Sequence, residues 1–355
     1  MSNTLAYGFS NLLDIFPAAV TENLEAVNTA MQQFKDEHNR QMQNLFGLFC
    51  EYTTNNKGRY NTLADAEMQE SDEYTEGLPI KGGDRYDVAW PILSGILSQG
   101  LTEEAAKKMT VEEANRKALQ VQLADIKFLR KNILRALFAN VAWPWSSEED
   151  GSLTIQGLAN GDAVKYLLHT GATSTATDTH YLATNSAMAN SDFEGIREEL
   201  LEHPENSGDV VALVPTNLKA TVEALTGFYP VADANISFGS GVSTLKGAPS
   251  VQVPGELFGY HEGKVWLYEW RSLPDSYIVA VCTGGNKALR ARQEKLASLQ
   301  GLRLVAENEG THPFYKTTWK RHIGFGGYNR VNALVKRFGN ASYAVPTGYE
   351  TPSAS

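Results

Sequence analysis

Residues 319–338 run WKRHIGFGGYNRVNALVKRF, a basic, glycine-containing segment that then alternates, and three roles compete for it. As a phosphate loop, the GFGG at 324–327 should complete GxGxxG or lead into Lys-Ser/Thr. It does neither, and too little chain follows to finish a βαβ unit. As a nucleic-acid patch, Lys320, Arg321 and Arg330 work against a whole-chain charge of −10, whereas phosphate affinity comes mostly from net cationic contact. As architecture, the glycines need only allow a bend or a close backbone approach before a strand. Val331, Ala333 and Val335, alternating with Asn332, Leu334 and Lys336, supply that strand.

Charge is unevenly spread around this segment. Residues 287–337 hold eleven Lys/Arg against three Asp/Glu, while residues 51–87 hold nine acids against four bases. An acidic arm and a basic tract in one chain suit association with a second copy of that chain. The polar stretch 51–83 is too long for an ordinary connection inside a domain, and such loops tend to be functional. It flows into DRYDVAW (84–90), where Tyr86, Val88 and Trp90 alternate with Arg85, Asp87 and Ala89 before Pro91 stops the pattern. A protruding hairpin with one aromatic face is expected.

Helical periodicity marks two long segments. In 21–49, with Thr21 as N-cap, Leu24, Val27, Met31, Phe34, His38, Met42, Leu45 and Phe49 form one stripe, with His38 expected as a packing residue. In 110–140, TVEEANRKALQVQLADIKFLRKNILRALFAN opens with a Thr110/Glu113 capping box and meets no Gly or Pro. The exit VAWPW (141–145) reads as a packed hinge. From 191 onward the pattern is a helix at 192–202, a buried strand at 209–215 and a helix capped at Thr216 or Asn217. Strands follow near 250–253, 265–270 and 277–282, with a turn at 273–276. Without regular βαβ alternation, the fold class is α+β.

Enzymatic and metal chemistry find little support. The loop HTGATSTATDTHYLATNS (169–186) holds His, Asp and Ser, yet no GxSxG accompanies them and its Thr content suits a solvated loop. His169 and His180 are eleven apart, unlike a helical zinc pair. No catalytic residue, cofactor or metal is expected. Cys50 and Cys282 match no redox or metal spacing and read as buried thiols. The first twenty residues lack a basic n-region, and no aliphatic run approaches the roughly 18 residues of a membrane span.

The order of these parts resembles the major capsid proteins of tailed bacteriophages, with the HK97-like fold. The resemblance covers about residues 46–347. It rests on the acidic excursion ending in GDRYDVAWPI, the capped helix MTVEEANRKALQVQLADIKFLRKNILRALF, then RSLPDSYIVAVCTGG and HPFYKTTWKRHIGFGGYNRVNALVKRFGNASYAVPT. It implies an N-terminal arm at 1–50, an E-loop at 51–92, a peripheral domain at 93–190 with its spine helix at 110–140, an axial domain at 191–301 and returning strands and tail at 302–355. It further implies a structural, non-enzymatic protein of the virion, made in the host bacterial cytoplasm. Pentamers and hexamers of the chain would enclose double-stranded DNA, contacted weakly and non-specifically. A scaffolding protein, a portal and a cement or decoration protein are the implied partners, and no membrane is. Candidate assembly contacts are Tyr86, Val88 and Trp90 on the hairpin and Lys316, Lys320, Arg321 and Arg330 in the basic tract.

Some relatives cross-link their shells through a Lys–Asn isopeptide bond. Lys57 and Lys81 lie in the expected E-loop, but a non-covalent shell is expected here. In others an N-terminal helical segment is a cleaved scaffold, whereas this arm is expected to stay in the particle. The alternative within the fold is an encapsulin-like nanocompartment, against which the long N-terminal arm speaks. A hydrolase built on the 169–186 loop is the reading from another class.

Overall fold

The computed structural model describes residues 24–70, 72, 74, 76–77, 79, 82–102, 110–169, 175–230, 252–262, 264–308 and 314–352. The expected cap at Thr21 and the arm before it lie outside these residues. In chain order, α1 (Leu24–Phe46) leads into β1 (Cys50–Thr53), β2 (Lys57–Asn61), β3 (Arg85–Ala89) and β4 (Leu93–Thr102). Then come α2 (Val111–Phe138), β5 (Trp143–Ser147), β6 (Gly151–Ile155), β7 (Tyr166–Leu167), β8 (Thr175–Ala176), β9 (Tyr181–Thr184) and α3 (Asn190–Leu201). The rest is β10 (Val210–Val214), α4 (Thr216–Glu223), β11 (Phe228–Pro230), β12 (Glu256–His261), β13 (Val265–Glu269), β14 (Tyr277–Cys282), β15 (Leu289–Arg292), β16 (Leu302–Asn308), β17 (Phe314–Gly327) and β18 (Ala333–Phe338).

Helix α2 begins where its capping chemistry dictates. Thr110 Oγ1 accepts from the Glu113 N–H at 3.3 Å, and the Glu113 carboxylate accepts from the Thr110 N–H at 3.1 Å. Its 28 residues run about 42 Å. One stripe (Leu129, Ile133, Leu137) packs on a mixed seven-stranded sheet ordered β11-β12-β13-β10-β14-β18-β9. The central strands of that sheet are buried on both faces, which is why VVALV and YIVAVC read as continuous apolar runs. Val211, Leu213, Val279, Val281, Ala333 and Val335 face α2. Val210, Ala212, Val214, Ile278, Ala280 and Leu334 face α3 and α4.

A second sheet runs β1-β15-β17-β16, with β4 also paired to β17. Here the expectation of glycines preceding a strand is corrected: GFGG closes a 14-residue strand, β17. A Cβ at Gly324 would fall 2.0 Å from the Pro91 carbonyl oxygen, and one at Gly326 2.8 Å from that of Ala89. Close backbone approach, rather than a bend, is what these glycines permit. The strand expected from Val331 starts at Ala333 and is buried on both sides. Its second face holds Leu334 and Lys336, whose Nζ reaches Asp192 Oδ1 at 2.8 Å.

Three smaller expectations also change. VAWPW is no hinge, because Trp143–Ser147 pairs with Gly151–Ile155 as a hairpin. Thr216 is the first residue of α4 rather than its cap, which is Pro215, and its hydroxyl donates to Glu269 at 3.0 Å. The strand expected near 250–253 starts at Glu256, with residues 250 and 251 outside the described set.

Candidate assembly site

The long excursion of the chain has two parts. Its base is the β2–β3 ladder, which sets Tyr60 opposite Tyr86 with the rings stacked at 5.2 Å. Alternation along β3 sends Tyr86, Val88 and Trp90 to one side, as expected. That side is buried against this chain's own Tyr166, Tyr328 and Val331, with Trp90 fully covered. Tyr60 Oη donates to the Glu205 carboxylate, whose Oε1 also accepts from the Leu63 N–H at 2.8 Å. Burial first, then the neighbouring Glu205, holds the Tyr60 phenol above its ordinary pKa.

Arg330 clamps this base. Its Nε donates to Gly157 O at 2.9 Å and its Nη2 to Leu158 O at 3.0 Å, while Nη1 pairs with Asp162. The guanidinium lies 5.3 Å from the centre of the Tyr86 ring, and Tyr86 Oη donates to Tyr328 O at 2.7 Å. Arg290 stacks over Tyr328 at 3.6 Å. Where β3 ends, Arg292 donates to Trp90 O at 3.1 Å and forms a bidentate pair with Asp150 at 2.6 and 2.8 Å. The Arg292 hydrogen bonds hold the Asp150 carboxyl below its ordinary range despite burial.

Beyond the base the chain leaves the body. The Thr62 N–H donates to Asp84 O at 2.8 Å, and from 65 to 82 every described residue is exposed. Met68 is 97% and Tyr74 92% exposed, in a span of predominantly acidic charge.

A third anchor joins elements that are distant in sequence. Arg321 on β17 donates to both oxygens of Asp125 on α2 at 2.5 and 2.7 Å. His38 on α1 meets Asp125 Oδ2 at 2.7 Å, so it is a hydrogen-bond partner as well as a packing residue. Burial favours the neutral Asp125 acid, but His38 and Arg321 outweigh it and lower its pKa.

Of the seven expected assembly residues, the structure gathers Tyr86, Val88, Trp90 and Arg330 at the base of the hairpin and puts Arg321 in the separate Asp125 centre. All five are buried within the chain, so any part they play in assembly runs through the parts they hold. Lys320 is half-buried on β17, opposite Ile96 and Arg303, and Lys316 lies opposite Gly100 and Asn308. Sequence patterning missed Arg292 and Asp150. Their 142-residue separation leaves no local signal.

The 169–186 loop, expected to be solvated, carries a buried His180. His180 meets His203, not His169, and both Nε2 atoms lie 2.6 Å from Asp178 Oδ2. Glu199 and Glu202 stand beside Asp178. Cys50 and Cys282 are buried free thiols, each pushed up to about 12 by burial.

No protein-family model matches this sequence, and no curated protein is detectably similar to it. Solved structures do match. A chain from Mycobacterium phage Patience has a TM-score of 0.66 and 20% identity over 91% of each chain. A chain of the bacteriophage PhiM1 mature capsid has a TM-score of 0.49 and 9% identity, over 81% of this chain and 84% of that one. One from the capsid of the native GTA particle has a TM-score of 0.47 and 12% identity, over 85% and 91%. The spine-like helix α2 across a two-sided sheet, the long hairpin and the match along 91% of the chain give one result: this chain has the HK97-like capsid fold.

Proposed function

We propose that this chain is the major capsid protein of a tailed phage, building an icosahedral head shell from pentamers and hexamers of itself. One observation carries the reading. The chain commits an aromatic cluster and two buried arginines to fixing the root of a loop whose described outer residues are all exposed. That arrangement suits a loop whose partner is a neighbouring subunit. The acidic outer span (65–82) would lie on a basic surface of the next copy, with Lys316 and Lys320 as candidate contacts. Each exposed ion pair contributes about 0–1 kcal/mol, so the strength comes from repetition and from apolar side chains such as Met68 and Tyr74.

In this reading 93–190 forms a peripheral domain and 191–301 an axial domain. The sheet at the centre of the latter also draws β9 and β18 from outside that span. A scaffolding protein, a portal, a cement protein and weakly held double-stranded DNA complete the set of partners, with synthesis in the bacterial cytoplasm and residence in the virion. The test is electron microscopy with light scattering on the protein expressed alone and with its scaffold. Closed shells or five- and six-membered rings are expected. A monomer or dimer at every salt and protein concentration would overturn the proposal.

A further inference from the structure

We infer that Asp178, His180 and His203 form a buried site for a divalent transition-metal ion of the zinc class, completed by Glu202 or Glu199. The inference starts from proton positions. His180 Nδ1 lies 2.9 Å from Ala333 O, and His203 Nδ1 lies 3.1 Å from Leu167 O. A backbone carbonyl only accepts, so both Nδ1 atoms carry the hydrogen. In the neutral rings both Nε2 atoms are therefore lone pairs, and both point at the same oxygen, Asp178 Oδ2, from 2.6 Å. Two lone pairs facing a carboxylate repel unless positive charge stands between them.

Either two protons or one cation can supply that charge. Two protons would create two imidazoliums with ring centres 5.6 Å apart, in side chains 0% and 1% exposed. Placing two full charges side by side in a dry site is costly. A divalent ion puts both charges on one centre shared by all the donors. The surroundings favour it further. Glu199 lies in the last turn of α3, Glu202 is its C-cap and His203 follows, so the negative end of that helix lies at the cluster. Asp178, Glu199 and Glu202 bring their carboxylate oxygens within 4.8 Å of one another.

The ligand set also suits zinc chemistry. Two imidazoles and a carboxylate, each imidazole fixed by a backbone carbonyl through its far nitrogen, form a typical donor arrangement. Tetrahedral bonds of zinc length place neighbouring donor atoms about 3.3 Å apart. Glu202 Oε1 is already 3.6 Å from His203 Nε2, and Asp178 has to back away from each ring by roughly 0.7 Å. Glu202, with 36% of its side chain exposed, gives the ion a way in. Once bound, the ion would staple the 169–186 loop to the end of α3. The same two rings already bond β7 and β18.

The test uses the full chain without a polyhistidine tag. After incubation with Zn2+ and exhaustive dialysis, elemental analysis should find one zinc per chain. Co2+ in its place should give the intense visible absorption of a tetrahedral site, discharged by added Zn2+, and chelation should lower the melting temperature by several degrees. His203→Gln and His180→Gln should each lose the ion, and His169→Gln should keep it. The wild-type metal content needs no variant to fold. Zinc below about 0.1 per chain with no Co2+ spectrum would overturn the inference. So would a Co2+ spectrum unchanged in both the His180 and His203 variants. Stability that ignores chelator but falls between pH 6 and 8 would assign the place to protons instead, and would also overturn it.

Discussion

The two halves of the long hairpin obey opposite rules. At the base, Tyr60, Tyr86 and Trp90 are packed away, and the Arg330 fork and both terminal nitrogens of Arg292 find partners in the same chain. In the outer half, Met68 and Tyr74 stand almost fully in solvent and acidic side chains predominate. Folding of the single chain explains the burial of the first half but not the exposed Met68 and Tyr74 of the second. Side chains that the monomer does not use are where a partner is to be sought.

The largest effect should come from replacing residues 65–82 with a short turn. Shell assembly, followed by light scattering, should be lost, while stability of the isolated chain stays within about 1 kcal/mol, because loop length costs little. Loss of folding on that deletion would break the contrast between the halves. Next, Trp90→Ala should cost about 3–5 kcal/mol in chemical denaturation of the unassembled protein. Asp150→Ala should cost a similar 3–5 kcal/mol, since it strands the buried Arg292 guanidinium. The same groups set an acid limit. Asp125 and Asp150 have folded pKa values below their ordinary 3.8. Their contribution is therefore complete above that value and lost as pH falls through the lower, folded one. Acid unfolding should accordingly begin below about pH 4, with a shallower acid limb in Asp150→Asn. The smallest effects sharpen the comparison. Tyr60→Phe, at the base, should cost about 1 kcal/mol. Tyr74→Ser, in the outer half, should change monomer stability by less than about 0.5 kcal/mol yet slow assembly.

Much of the scaffold was legible from local chemistry. Thr110 and Glu113 announced α2, and the runs at 209–215 and 277–282 announced strands, the first of them as buried. Where the reading slipped, tertiary contact had overruled a local signal. Gly324 and Gly326 were expected ahead of a strand, but they sit inside β17, where Pro91 and Ala89 approach them closely. Pro144 hid the strand β5, which survives as half of a two-stranded hairpin. The basic tract read as surface, whereas Arg321 and Arg330 are internal clamps whose acceptors lie 196 and about 170 residues away. His203 escaped notice because it joins His180 only after α3 has brought it back, a meeting that no spacing rule encodes.

The grip of Arg292 on the Trp90 carbonyl has a mechanical consequence. A force applied at the hairpin tip runs down β2 and β3 together toward their root. There it meets the stacked rings, the Arg330 fork, the Arg292–Asp150 pair and the Pro91–Gly324 contact all at once. Contacts loaded together share the strain, where contacts loaded singly would break one by one. A neighbour tugging on this loop would therefore pull on the whole sheet beneath it, and a shell so linked would distribute internal pressure from subunit to subunit through the backbone.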